Sequence, residues 1–278
     1  AQAQGYRMGL YTSADMYRPV TLDRTAFASV PDLRVTPDDP QSPSWQRDRL
    51  LYDDWTNWQD SLEPGQPFFG FLFFDSANGF GPPPDYPVSF QAPPGHPLPE
   101  RFVRYQQALH HIDSIIGRVL DDLRRRGLAD NTVVLVTSDH GEEFMDSGPE
   151  FSLHGSGYSR WQLQVPLLLS WPGRPPGEQT HRSSHYDVAP TLLGRLLGCS
   201  NPPATYAAGD DLFDGQDWPW LLAGSYFNYA VLEPDQITVT LPSGLYEVRD
   251  WDYRIKPKPE FRGEVLEQVM ELNRRFYR

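Results

Sequence analysis

At 278 residues the chain is long enough for one large core, or for a core with a small lobe. Its 37 acidic against 24 basic residues give a formal charge of -13, which argues against the basic face that nucleic-acid binding needs; an anionic substrate stays compatible, because a bound cation can reverse the local field. The single cysteine excludes an intrachain disulfide framework, there is no apolar run of about 18 residues to span a membrane, and no signal-peptide pattern opens the chain.

In chain order, residues 5–11 predict a short strand. Residues 44–62 predict a helix with Leu51, Trp55, Trp58 and Leu62 on one face. Residues 68–74, five of the seven being Phe, predict a buried strand that runs into Asp75-Ser76-Ala77-Asn78-Gly79. Eight prolines follow between Pro82 and Pro99, in a loop long enough to suggest a lid. The clearest helix is 100–126, with Phe102, Tyr105, Leu109, Ile112, Ile116, Val119 and Leu123 at spacings of three and four. Asp113 falls on that stripe, as a carboxylate expected to be paired, and His110 and His111 are expected to face solvent. Arg124, Arg125 and Arg126 suit the negative end of the helix dipole, and Gly127 ends the helix.

The most informative stretch comes next. Val133-Val134-Leu135-Val136 predicts a buried strand, and Thr137-Ser138-Asp139-His140-Gly141-Glu142-Glu143 carries a carboxylate and an imidazole out of its carboxyl end. In open α/β sheets ligands collect at that end, and Asp with neutral His suits a divalent cation. A polar loop, 142–157, contains His154. A further buried strand is predicted at 165–171, and a helix at 187–197, capped by His185 and Asp187, with Pro190 in its first turn and Gly198 past its end. This alternation predicts an α/β fold with a mostly parallel central sheet flanked by helices. From about residue 201 the pattern changes to short strands at 230–232, 236–241 and 244–248, with a hairpin turn at Pro242-Ser243-Gly244. A closing helix at 260–277 carries Val265, Val269, Leu272 and Phe276 on one face. The predicted division is therefore an α/β portion, 1–200, and a small antiparallel lobe, 201–278.

An isolated Asp-His pair matches by chance; the wider pattern is more specific. Residues 105–113, Ile116-Gly117, Gly127 to Thr132, Ser138-Asp139-His140-Gly141-Glu142, Val165-Pro166-Leu167, Pro172-Gly173 and Asp187 to Leu193 together resemble the sulfatase branch of the alkaline phosphatase superfamily. Residues 158–166 and Tyr246-Glu247-Val248-Arg249-Asp250 are similar to the YejM/PbgA group of inner-membrane proteins, which carry a sulfatase-like periplasmic domain. The resemblance implies an alkaline phosphatase-like fold and a divalent metal ion (Mg, Mn, Ca or Zn) on Asp139 and His140. It implies substrate contacts at His154 and in the region of Asn78, where many relatives place a histidine. Glu142 and Glu143 are then supporting acceptors or part of a solvated acidic loop.

By the same resemblance the activity is hydrolysis or transfer of phosphate or sulfate esters, with lipid headgroups among the candidates. The setting is the periplasmic side of the inner membrane. Thr12, Ser13 and Cys199 lack a nucleophile's context, so nucleophile and membrane segments are expected outside this chain. The alternative is a non-catalytic domain that senses anionic lipid in lipopolysaccharide and outer-membrane homeostasis.

Overall fold

The computed structural model describes all residues except 17–21, 26, 29–32, 36–41, 226–227, 261 and 275–278. The chain packs as two units, residues 1–133 with 171–173, and residues 134–170 with 174–278.

In the first unit, β1 (Arg7–Thr12) lies between β2 (Leu33–Val35) and β3 (Phe68–Phe73) in a parallel sheet. The helices α1 (Ser44–Asp60) and α2 (Pro99–Arg125) belong to the same unit. Gly9 stands opposite Gly70 across β1 and β3. A Cβ at Gly9 would lie 2.6 Å from the Trp58 ring, and one at Gly70 2.5 Å from that of Trp55, so the glycines let two indoles lie against the sheet. Around them Tyr11, Leu51, Tyr52, Ile115 and Val119 close an aromatic-rich core. The expected face of α1 is thus observed, and tryptophans build this core.

Helix α2 departs from expectation in its buried stripe, which is Ala108, His111, Ile115, Val119, Asp122 and Leu123. Leu109 and Asp113 are exposed, as is His110, whereas His111 is buried. Counting apolar residues misplaces the face because two polar residues on the true stripe find partners, one on α1 and the other at the end of α2 itself. The Nε2 atom of His111 is 3.2 Å from the Trp45 carbonyl oxygen, and Asp122 accepts from Arg125 and Arg126. Arg126 also pairs with Asp60 at 2.7 Å, tying the end of α2 to that of α1. Gly127, at φ 70°, supplies the left-handed turn after the helix.

The second unit opens with β4 (Val134–Thr137), followed by the two-residue strands β5 (Glu143–Phe144) and β6 (Ser152–Leu153), the short helix α3 (Arg160–Leu163), and β7 (Leu167–Ser170). Then come α4 (Val188–Leu197), β8 (Leu221–Gly224), β9 (Tyr229–Leu232), β10 (Ile237–Thr240), β11 (Tyr246–Arg249) and α5 (Gly263–Arg274). The α/β class holds, and among the described residues parallel pairing is found in β1, β2 and β3. β4 and β7 pair antiparallel as a two-stranded sheet among the described residues, and Val134, Leu135 and Val136 are half-buried.

β8 to β11 form an antiparallel sheet in the order β11-β10-β9-β8, and β8 is a strand the sequence reading did not anticipate. Alternation along β9 sends Ala230 and Leu232 to a cluster with Tyr158, Ile237, Val239 and Tyr253, and Val231 to one with Trp220 and Val269 of α5. Phe276, expected on the α5 face, lies outside the described residues. Before α4, Ser184 rather than His185 provides the cap. Asp187 is buried and accepts from the backbone N–H groups of Ser184 and Asp210 and from the Trp218 indole, pinning the segment after α4.

Candidate metal centre

The loop that leaves β4 is built from close local contacts. The Ser138 hydroxyl donates to the His140 carbonyl at 2.7 Å, and the His140 N–H donates to Asp139 Oδ1 at 3.1 Å. Gly141 N–H donates to the Gln162 carbonyl of α3 at 2.8 Å. A Cβ at Gly141 would meet the Trp161 carbonyl oxygen at 2.1 Å, so only glycine brings the loop this near to α3. Below it Glu143 is fully buried. It accepts from the Ser159 hydroxyl at 2.6 Å, the Gln162 amide at 2.7 Å and the Ser147 N–H at 2.8 Å. Gln162 also donates to the Ser156 hydroxyl at 2.9 Å, so one side chain braces both ends of the loop.

Pairing of β5 with β6 then sets the chemistry. Glu143 stands opposite Leu153 and Phe144 opposite Ser152. The next step of that antiparallel register brings Glu142 opposite His154. The Nδ1 atom of His154 is 3.1 Å from Glu142 Oε2, and the Glu142 side chain is 3% exposed. The rings of His140 and His154 stack with centroids 3.9 Å apart. One ligand atom from each of His140, Glu142 and His154 falls within 4.8 Å of the others. His140 Nδ1 is 2.9 Å from the Gly141 carbonyl oxygen; a proton held there leaves Nε2 as the electron-pair donor. Two imidazoles and a buried carboxylate are a donor set that fits a divalent cation of the Zn or Mn type.

The residues expected from sequence are placed as follows. His140 and His154 come together. Asp139 is more exposed and stands beside them, its Oδ2 3.8 Å from His140 Nε2. Glu142 enters as a converging donor through the pairing of two strands too short to leave a signal in the sequence. His185 points to the same strand end, with Nε2 3.3 Å from the Thr137 hydroxyl. Asn78 belongs to the first unit, where it is exposed in the turn after β3 and donates to Asp75 Oδ1 at 3.3 Å. That turn is held by buried Asp48, which accepts from the N–H groups of Asp75 and Ser76 and from the hydroxyls of Ser13 and Ser76. Burial raises the Asp75 carboxyl above its usual range, while the hydrogen bond from Asn78 and its ion pair with Arg47 oppose the rise. Among the described residues no helix is long and apolar enough to cross a membrane.

A family model described as Sulfatase matches residues 1–199. The chain is 30% identical over 278 residues to the inner membrane protein YejM of Salmonella typhimurium, across 98% of this chain and 42% of that protein. It therefore spans about two fifths of that relative's length. Among solved structures, a protein in the alkaline phosphatase superfamily from Vibrio parahaemolyticus superimposes with a TM-score of 0.67 at 19% identity, covering 95% of this chain and 63% of that one. The phosphonate monoester hydrolase of Agrobacterium radiobacter gives 0.69 at 15% identity, covering 99% and 79%. At these identities the likeness to both is one of fold.

Proposed function

The chain belongs to the sulfatase family, and from that membership we propose that it forms part of a metal-dependent hydrolase or transferase acting on phosphate or sulfate esters. The convergence of His140, Glu142 and His154 at the end of β4 supports this reading most directly. Of that cluster, His140 and Glu142, with Asp139 beside them, would hold a divalent ion, and His154 would be left to meet the substrate. When bound, such an ion stabilises negative charge on a phosphoryl or sulfuryl oxygen and lowers the pKa of an attacking oxygen. The chain's own contribution is positioning. Glu142 orients the His154 imidazole, whose ring N–H can donate to an ester oxygen. The Glu143–Gln162–Ser159 network holds the loop that carries all of these groups. Asn78 offers an amide donor of the same chemical kind.

A second reading is favoured by one observation: similarity to YejM runs through 98% of the chain, past residue 199 where the family match ends. On that reading the fold serves a non-catalytic domain at the periplasmic side of the inner membrane that binds anionic lipid.

The first reading is tested by calorimetric titration with Mn and Zn ions. Saturable binding is expected, weakened roughly tenfold or more by His140→Ala and by Glu142→Gln. In the full-length protein, turnover of a nitrophenyl sulfate or phosphodiester should depend on Asp139 and His140. Ion binding without turnover, together with binding to anionic vesicles, would favour the second reading.

A further inference from the structure

On the first unit a cleft of about 580 Å³ opens between α1, α2 and the proline-rich loop. Its size falls in the range of small-molecule sites, about 300–1,000 Å³. Pro84, Pro87, Val88 and Ile115 give it apolar walls. Arg49 and Arg118 line it as well. Arg118 lies 3.9 Å over the Tyr52 ring and Arg49 4.9 Å over the Trp45 ring, so aromatic floors orient both. The nearest carboxylate to Arg118 is that of Asp53 at 3.9 Å, with both side chains about half exposed, a pairing that solvent screens. Among the described residues Arg49 forms no ion pair.

The far wall is also built. The Tyr86 hydroxyl is 2.6 Å from His110 Nδ1, and the Gln107 amide donates to the Val88 carbonyl at 3.3 Å, so the loop is fastened along α2. In a chain of net charge -13, two oriented and weakly compensated guanidiniums beside an apolar slot call for an anion.

We propose that this cleft is a second binding site, for an oxyanion carried on an apolar or aromatic body, with Arg49 and Arg118 taking the oxyanion and the proline-lined walls taking the body. A monoester headgroup and a free anion share the oxyanion chemistry; the walls favour the former.

The test is calorimetric titration of the full 278-residue chain with phenyl phosphate, and with inorganic phosphate as the bare anion. Saturable binding of phenyl phosphate is expected, with inorganic phosphate weaker. Arg49→Gln and Arg118→Gln should each weaken it by roughly tenfold, the scale of a lost charge-assisted hydrogen bond. Ser114→Trp, at an exposed position on the cleft wall, should block binding without removing a charge. Both arginines are exposed, and unchanged melting of the variants will show that the fold is intact. Absence of saturable binding overturns the proposal. So does equal affinity for the two probes, or binding that survives both arginine changes and is lost with His140→Ala and His154→Ala; that last result would place the probe at the histidine cluster and leave the proposed catalytic reading standing.

Discussion

A single step of strand register decides which side chains meet at the candidate centre. Asp139 and His140 were legible because they are adjacent in sequence and follow an apolar run. Glu142 and His154 are 12 residues apart, and only the pairing of Glu143 with Leu153 sets them side by side. Two-residue strands leave almost no period to read, so that pairing was not legible. Gly141 matters for a different reason, since the Trp161 carbonyl fills the space a Cβ would take. Gly141→Ala should therefore destabilise the chain by about 1–3 kcal/mol, the usual cost of overpacking, and weaken ion binding in the same variant. Gly177→Ala, where a Cβ meets nothing within 4 Å, should leave stability within about 0.5 kcal/mol of the parent. Urea unfolding of the two variants checks the contrast.

Among the elements, α2 shows how far periodicity reaches. Its length and ends agree with expectation to a residue or two, because apolar spacing and Gly127 are local signals. Its buried face agrees only at Val119 and Leu123, because His111 and Asp122 count as polar until their partners, the Trp45 carbonyl on α1 and the arginines at the helix end, are known. His111 also gives the helix a pH dependence. Burial is the main cause that lowers its pKa below the ordinary 6.5, so the unfolded chain takes up a proton first as pH falls. The contribution of neutral His111 is fully present above about pH 6.5 and is lost as pH falls from there through the lowered folded value. His111→Gln, which keeps a donor for the Trp45 carbonyl, should flatten the fall in melting temperature between about pH 7 and 5. An unchanged slope would show that another group carries it.

Across the whole molecule, the α/β class and the family were legible from the order of motifs over most of the chain. That order survives where single contacts cannot be read. Less legible was pairing at long range, including the antiparallel partnership of β4 with β7 and the fourth strand of the closing sheet. The charge is a property of the whole chain. With 37 acidic and 24 basic residues, self-repulsion opposes the folded state. Raising salt from about 0.01 to 0.15 M shortens the screening length from roughly 30 to 8 Å, and should raise the melting temperature. The pairs around Arg262, with Glu233, Asp235 and Glu260, act the other way and soften the rise without reversing it. Thermal scans across that range, with divalent ions removed by chelator, read the net sign.

The facing glycines of β1 and β3 carry a consequence for how such chains diverge. Gly9 and Gly70 sit opposite each other, one beneath the Trp58 ring and the other beneath that of Trp55. A side chain gained at either glycine is tolerated only where its indole shrinks. The four positions should therefore change together, and an alignment of relatives would check it: a residue larger than glycine at either position is expected only where the indole above it is replaced by a smaller side chain.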